Sequence, residues 1–244
     1  MLYQIQGTNV RIMGTMHIVS VGQEKWQVAM RRAFESAEVH YVETHQAKAQ
    51  GVFATPSHLS PTQLPADVLA VISKYWETTS LPALDRCNLL GAWLAAGQMG
   101  LRFSLGVEAL LAEWYGEQSM RELEGASDFL GSFSEVPLAD YVATLRKRIP
   151  NSLQAQKNLD TTYNAWRRHD VKKLSEMTKR DTTPAIHNAM YKRRNQAWAP
   201  KIAEEAATGS SVMVFCGAGH LCGKDSLLEI LERDHGLSSR RLEM

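Results

Sequence analysis

A chain of 244 residues with 44% hydrophobic and 22% charged side chains is long enough to bury a core without covalent staples. Its formal net charge of +1 supplies no global field toward nucleic acid, membrane surfaces or acidic partners, so no nucleic-acid partner is expected. Cys87, Cys216 and Cys222 form no CxxC pair and no disulfide framework. Met1 to Gly7 carries no basic region followed by a long apolar run, and no stretch approaches the ~18 apolar residues of a membrane span. The expectation is a cytoplasmic protein with reduced thiols and no membrane span.

The chain opens with Tyr3-Gln4-Ile5-Gln6, a turn at Gly7-Thr8-Asn9, and Val10 to Met13, which read as a hairpin. From Gln23 to Ala37, Trp26, Ala29, Met30, Ala33, Phe34 and Ala37 make one helical stripe. Val39 to Glu43 reads as the next strand, so strand, helix and strand imply a parallel pair with a crossover. Gln50 to about Pro65 reads as loop. Two helical stripes follow, Val68/Leu69/Ile72/Tyr75/Trp76 and Leu84/Cys87/Leu90/Trp93/Leu94. Glu108 to Gly116 predicts a short helix, and Ser119 to Glu124 a short strand. The stretch from about 126 to 207 is mostly helical: Leu138/Tyr141/Val142/Leu145 stopped by Pro150, Leu153/Leu159/Tyr163/Trp166, Val171/Leu174/Met177, and a long helix from Ile186 to Ala207 with a kink or break expected at Pro200. The basic runs Arg146-Lys147-Arg148 and Lys192-Arg193-Arg194 read mainly as solvated helix faces. Val212 to Cys216 is nearly all apolar, as a strand covered on both faces is, and Cys216 is expected to be buried. Leu227 to Leu231 predicts a helix stopped at His235-Gly236, with a last edge strand at Ser239 to Leu242.

The fold class is α/β: a mixed, largely parallel sheet built from both chain ends, with a helical insertion in the middle. No linker is evident, so residues 1–244 are expected to form one domain. Its sheet core is expected at about 1–50, 105–125 and 210–244, and its helical parts at about 60–100 and 126–207.

Two stretches share a layout. Val10 to Met13 runs into Gly14-Thr15-Met16-His17, and Val212 to Cys216 runs into Gly217-Ala218-Gly219-His220. Each reads as a buried strand ending at a tight glycine turn, where positive φ suits glycine, and presenting a histidine. Ligands of open α/β sheets sit beyond the carboxyl ends of strands. The expectation is that both histidines face one cleft, together with Glu43-Thr44-His45 from a third strand end. Two or three imidazoles and a carboxylate can hold a divalent metal with a position open for water. Without metal, a histidine oriented by Glu43 can act as general base. The plain alternative for His17 is a hydrogen-bonded surface residue. His40 reads as structural, and His58, His169, His187 and His235 as exposed. Residues 217–225 depart from both GxGxxG and the Walker loop, with Cys222, Ala218 and Asp225 at required positions.

Gly14-Thr15-Met16-His17, Tyr41-Val42-Glu43, Gly106-Val107-Glu108 followed by Glu124-Gly125, Arg194-Asn195 and Gly217-Ala218-Gly219-His220-Leu221-Cys222-Gly223 occur in an order that resembles the TraB/GumN group. That group is related to the TIKI metalloproteases and more distantly to ChaN-like haem-binding proteins and erythromycin esterases. Glu108 stands where the family often has aspartate. The resemblance implies a hydrolase with Mn, Co or Zn held by His17, His220 and Glu43, the last as ligand or general base, acting on a peptide or a small ester or amide. It implies that Arg194 stabilises an oxyanion or holds a substrate carboxylate, Asn195 adds a donor, and Glu124 fixes a histidine tautomer. Glu124 as a turn residue and Arg194 as a plain salt bridge stay open beside this. So do a metal-independent esterase or amidase and a non-catalytic haem-, ligand- or partner-binding protein associated with conjugative plasmids.

Overall fold

The computed structural model describes residues 1–23, 26–45, 51, 57, 59–78, 83–149 and 152–243. His58, the Pro150 helix stop and part of the 50–65 loop lie outside these residues.

Strands β1 (Leu2–Ile5) and β2 (Val10–Thr15) form the opening hairpin. Gly7 takes φ 75° in its turn, and Gln4 Nε2 donates to the Thr8 and Val10 carbonyls at 2.7 and 3.1 Å. After β3 (Ile18–Ser20) and helix α1 (Gln27–Glu35) comes β4 (Val39–Val42). The helices α2 (Ala66–Trp76) and α3 (Leu89–Ala96) precede β5 (Phe103–Leu105), α4 (Val107–Tyr115) and β6 (Arg121–Glu122). Then follow α5 (Ala126–Ser132), α6 (Leu138–Arg148), α7 (Ser152–Arg167), α8 (Val171–Arg180) and α9 (Pro184–His187). A π turn, Asn188–Lys192, leads into α10 (Arg193–Thr208). The chain finishes with β7 (Val212–Gly217), α11 (Leu227–His235) and β8 (Ser239–Leu242).

The main sheet has the order β6-β4-β7-β2-β1-β8, with β6, β4, β7 and β2 mutually parallel and β1 antiparallel to both neighbours. The crossover from β2 through α1 to β4 therefore skips a place, which β7 fills. Val212 pairs with Val10 on one side and Val39 on the other. Every residue of β7 is buried, which explains its unbroken apolar run. At the far edge β8 exposes Arg240 and Arg241, charges that discourage further strand pairing.

Two apolar cores flank the site. The larger joins the sheet to α1, α4, α7, α10 and α11; the smaller gathers α2, α3, α6 and α9 around Trp93. Trp93 is 1% exposed, and its Nε1 donates to Thr144 Oγ1 at 2.7 Å.

The structure corrects several expectations. The stripe from Leu84 to Leu94 is two elements, a 3-10 turn at Leu84–Arg86 and α3. Cys87 is extended between them, and Asn88 caps the helix by accepting from the Gly91 N–H at 2.7 Å. Helix α10 runs through Pro200 without a break. Pro200 and Gln196, whose carbonyl loses its helical partner, both lie on the exposed face, so the lost bond is on the solvent side and not in the core. The irregularity comes earlier, at the π turn. The small sheet β3-β5, Ile18 opposite Leu105, has no counterpart in the sequence reading. His169 and His187 are half-buried rather than exposed, whereas His235 is exposed. His40 is structural as expected: it stacks on Phe34 at 3.7 Å between centroids, with Nε2 2.7 Å from the Phe34 carbonyl.

Candidate functional site

Adjacent parallel strands bring their carboxyl ends to one edge of the sheet. β2 leads into Met16-His17, β4 into Glu43, and β7 ends at Gly217, two residues before Gly219-His220. The two GxxH stretches are therefore neighbours in space: Gly14 pairs with Cys216 and Thr15 with Gly217.

The glycines are there for a reason other than the one their sequence implies. Neither Gly14 nor Gly217 has positive φ. A Cβ on Gly217 would lie 2.8 Å from His17 Nε2 and 3.1 Å from Glu43 Oε1. A Cβ on Gly14 would meet Leu221 Cδ1 at 3.0 Å and the Ala218 Cα at 3.3 Å. They permit close approach, one of side chains to β7, the other of the 3-10 turn Ala218–Leu221 to β2.

Glu43 is the centre. Its Oε1 accepts from the Gly217 N–H at 2.5 Å, and its Oε2 from Arg194 Nη2 at 2.5 Å. His17 Nε2 is 3.5 Å and His220 Nε2 3.7 Å from Oε1. Burial alone raises the Glu43 pKa, but Arg194, His220 and His17 together hold it well below the usual carboxylate range.

Arg194 is 3% exposed and its donors are all directed at protein. Nε donates to Glu124 Oε1 at 2.7 Å, and Nη1 to the Met190 carbonyl and His220 Nε2, each at 3.2 Å. Its guanidinium lies over Trp198 at 4.7 Å and Phe129 at 4.9 Å. Burial pushes Glu124 above its ordinary pKa despite Arg194.

The orientation of His220 follows from its neighbours. Asn195 Nδ2 donates to the His220 and Asp225 carbonyls at 3.3 and 2.9 Å, which turns Asn195 Oδ1 toward His220 Nδ1 at 2.7 Å. Nδ1 thus carries the proton, and Nε2 accepts from Arg194. Burial lowers the pKa of this ring to about 3, so it is neutral at ordinary pH.

Glu108 is the residue to which the sequence reading gave no role. Gly106 N–H and Val107 N–H donate to the His17 and Met16 carbonyls at 2.9 and 3.0 Å, which sets the first turn of α4 beside His17. A Cβ on Gly106 would fall 1.9 Å from the Met16 carbonyl oxygen. Glu108 Oε1 accepts from Thr15 Oγ1, while Oε2 is buried without a hydrogen bond, 3.3 Å from His17 Nδ1. Glu108 first and then Glu43 raise the pKa of the solvent-facing His17 well above its ordinary value, against the desolvation of the ring edge that meets protein. The sequence signal for Glu108 was the Gly106-Val107-Glu108 segment of the family pattern; alone it reads as an acidic residue favouring a helix N-terminus.

Among the described residues, donor atoms of His17, Glu43 and Glu108 all lie within 4.8 Å of one another, and the His17 side chain is 58% exposed toward solvent. The set fits a divalent cation: one imidazole and two carboxylates, one of which keeps a buried oxygen free of hydrogen bonds. His45 stands apart, with Nε2 2.9 Å from the Met120 carbonyl. A cavity of about 600 Å³ opens from the cluster, lined also by Leu94, Phe129, Arg148, Leu174 and Tyr191.

A mostly parallel α/β sheet with acids and imidazoles gathered at its central strand ends is the class that fold and site define. Residues 1–236 match the TraB/PrgY/gumN family, and the chain belongs to that family. Neither the curated proteins nor the solved structures yield a match. Among the described residues no helix is long and apolar enough to cross a membrane.

Proposed function

We propose that the chain is a metal-assisted hydrolase of amide or ester bonds, with His17, Glu43 and Glu108 as the ligands of one divalent ion. The observation that supports this is the convergence of their donor atoms within 4.8 Å, with Glu108 Oε2 buried, without a hydrogen bond among the described residues and facing the His17 ring at 3.3 Å. Manganese, cobalt and zinc all accept imidazole with carboxylate. When bound, such an ion polarises a carbonyl and lowers the pKa of a coordinated water.

The remaining residues act on Glu43. In this reading Arg194, with its donors spent on protein, is a positioning residue and not the oxyanion donor that the resemblance implies. It holds Glu43 by Oε2 and is balanced by Glu124. His220, expected as a second imidazole ligand, has both ring nitrogens engaged and braces Arg194. Asn195 fixes its tautomer. Thr15 orients Glu108 so that Oε2 points at the cluster.

A metal-independent reading has one observation in its favour: Glu43 and Glu108, 3.5 and 3.3 Å from the two nitrogens of His17, orient the ring and raise its basicity, so that it serves as general base above its raised pKa. The deciding experiment is elemental analysis and peptide and ester hydrolysis of the purified protein loaded with Mn²⁺, Co²⁺ or Zn²⁺. One ion per chain, turnover abolished by chelation, and loss of the ion in His17→Ala and Glu108→Gln are expected. Turnover that survives chelation favours the general base; no uptake by the wild type refutes the metal site.

A further inference from the structure

The basic run closing α6 does not behave as one solvated face. Arg146 and Lys147 are exposed, but Arg148 turns inward and lines the cavity. Its guanidinium lies 4.2 Å over the Trp93 ring, which Thr144 pins from its edge. Gly97 leaves room for it, since a Cβ there would lie 3.1 Å from Arg148 Nη1 and push the guanidinium aside by a few tenths of an ångström.

This cation is underused. Among the described residues its guanidinium makes one hydrogen bond, a long one of 3.5 Å from Nη2 to the Asp181 carbonyl. The Asp181 carboxylate also faces the cavity, but it is committed to Arg180, with Nε at 2.7 Å and Nη2 at 3.0 Å. Burial pulls the Arg148 pKa below its usual value, against the attraction of Asp181 and Tyr191. A desolvated guanidinium with open donors strongly favours an anion over water.

Arg148 belongs to the helical core and the His17-Glu43-Glu108 cluster to the sheet edge. The cavity touches both, and Leu94, Phe129, Leu174 and Met177 supply apolar wall. We infer that Arg148 is an anion subsite of the cleft, and that the cleft takes ligands carrying a carboxylate on an apolar body. The inference rests on reading the cleft as the substrate site, but it is separable from hydrolysis.

Binding to metal-free protein tests it. N-acetyl-leucine and its carboxamide differ in the one group at issue, and calorimetry or ligand-observed NMR measures both. The wild type is expected to prefer the acid by about tenfold or more, the worth of a charge-assisted hydrogen bond. Arg148→Gln is expected to erase the preference, Arg148→Lys to keep part of it, and Arg146→Gln, which removes an exposed cation outside the cavity, to leave it intact. Equal affinity of wild type for acid and amide, failure to bind either, or a preference lost in Arg146→Gln overturns the inference. The wild-type comparison stands even if a variant does not fold. A preference without any hydrolytic activity would leave the subsite in place and remove the hydrolase; hydrolysis indifferent to the carboxylate would do the reverse.

Discussion

At Gly217 a single hydrogen atom replaces a side chain that would lie 2.8 Å from His17 Nε2. The motif glycines were legible in the sequence, and so were His17, Glu43, Glu124, Arg194, Asn195 and His220 as candidates. What was not legible was why glycine is needed, because close approach is a property of two strands and not of one. Gly217→Ala is expected to keep the fold and weaken metal binding at least tenfold by displacing His17; unchanged affinity by calorimetry would contradict this. His220 makes a second test. Its folded pKa, about 3, lies below the ordinary value of ~6.5. The stability that this neutral ring contributes is complete above ~6.5 and is lost as pH falls toward 3, by up to ~1.4 kcal/mol per pH unit. His17, with its raised pKa, contributes with the opposite sign at higher pH. Nitrogen-15 NMR is expected to show His220 as the neutral Nδ1–H tautomer from pH 8 down to 4, and a titration near 6.5 would refute the assigned network.

At the scale of elements, periodicity revealed most helices and the apolar run of β7. It failed where structure is too short to repeat, as in β3 and β5 with three residues each. Those two strands matter because they bring Gly106, and hence Glu108, against His17. Proline's missing N–H pointed to the wrong place for the irregularity of the long helix, which is the π turn Asn188–Lys192 and not Pro200. Arg194 and Asn195 follow one residue beyond that turn, and both are buried. Arg194→Met would leave Glu43 and Glu124 buried without their cation. A loss of about 3–5 kcal/mol in urea unfolding is expected. Adding Glu43→Gln and Glu124→Gln should restore much of it, and strict additivity of the three changes would contradict the network.

Across the whole molecule, the chain ends build the sheet and the middle builds the opposite wall of the cavity. The parallel arrangement of β2 and β4 was readable from strand, helix and strand. The insertion of β7 between them was not, since its apolar run says only that both of its faces are covered. The second core was visible as stripes but not as a wall, since nothing local says which helix faces the cleft. Trp93 joins that core to the cavity through Arg148, so Trp93→Ala is expected to cost about 3–5 kcal/mol. It should also weaken binding of N-acetyl-leucine, and a variant that is destabilised but binds as the wild type does would separate the core from the subsite. Anomalous diffraction from a crystal soaked in Mn²⁺ decides whether His17, Glu43 and Glu108 hold an ion. One peak bounded by these three side chains is expected, with His220 still bonded to Arg194; no peak there, or an ion ligated by His220 in place of Glu108, rules the assigned ligand set out.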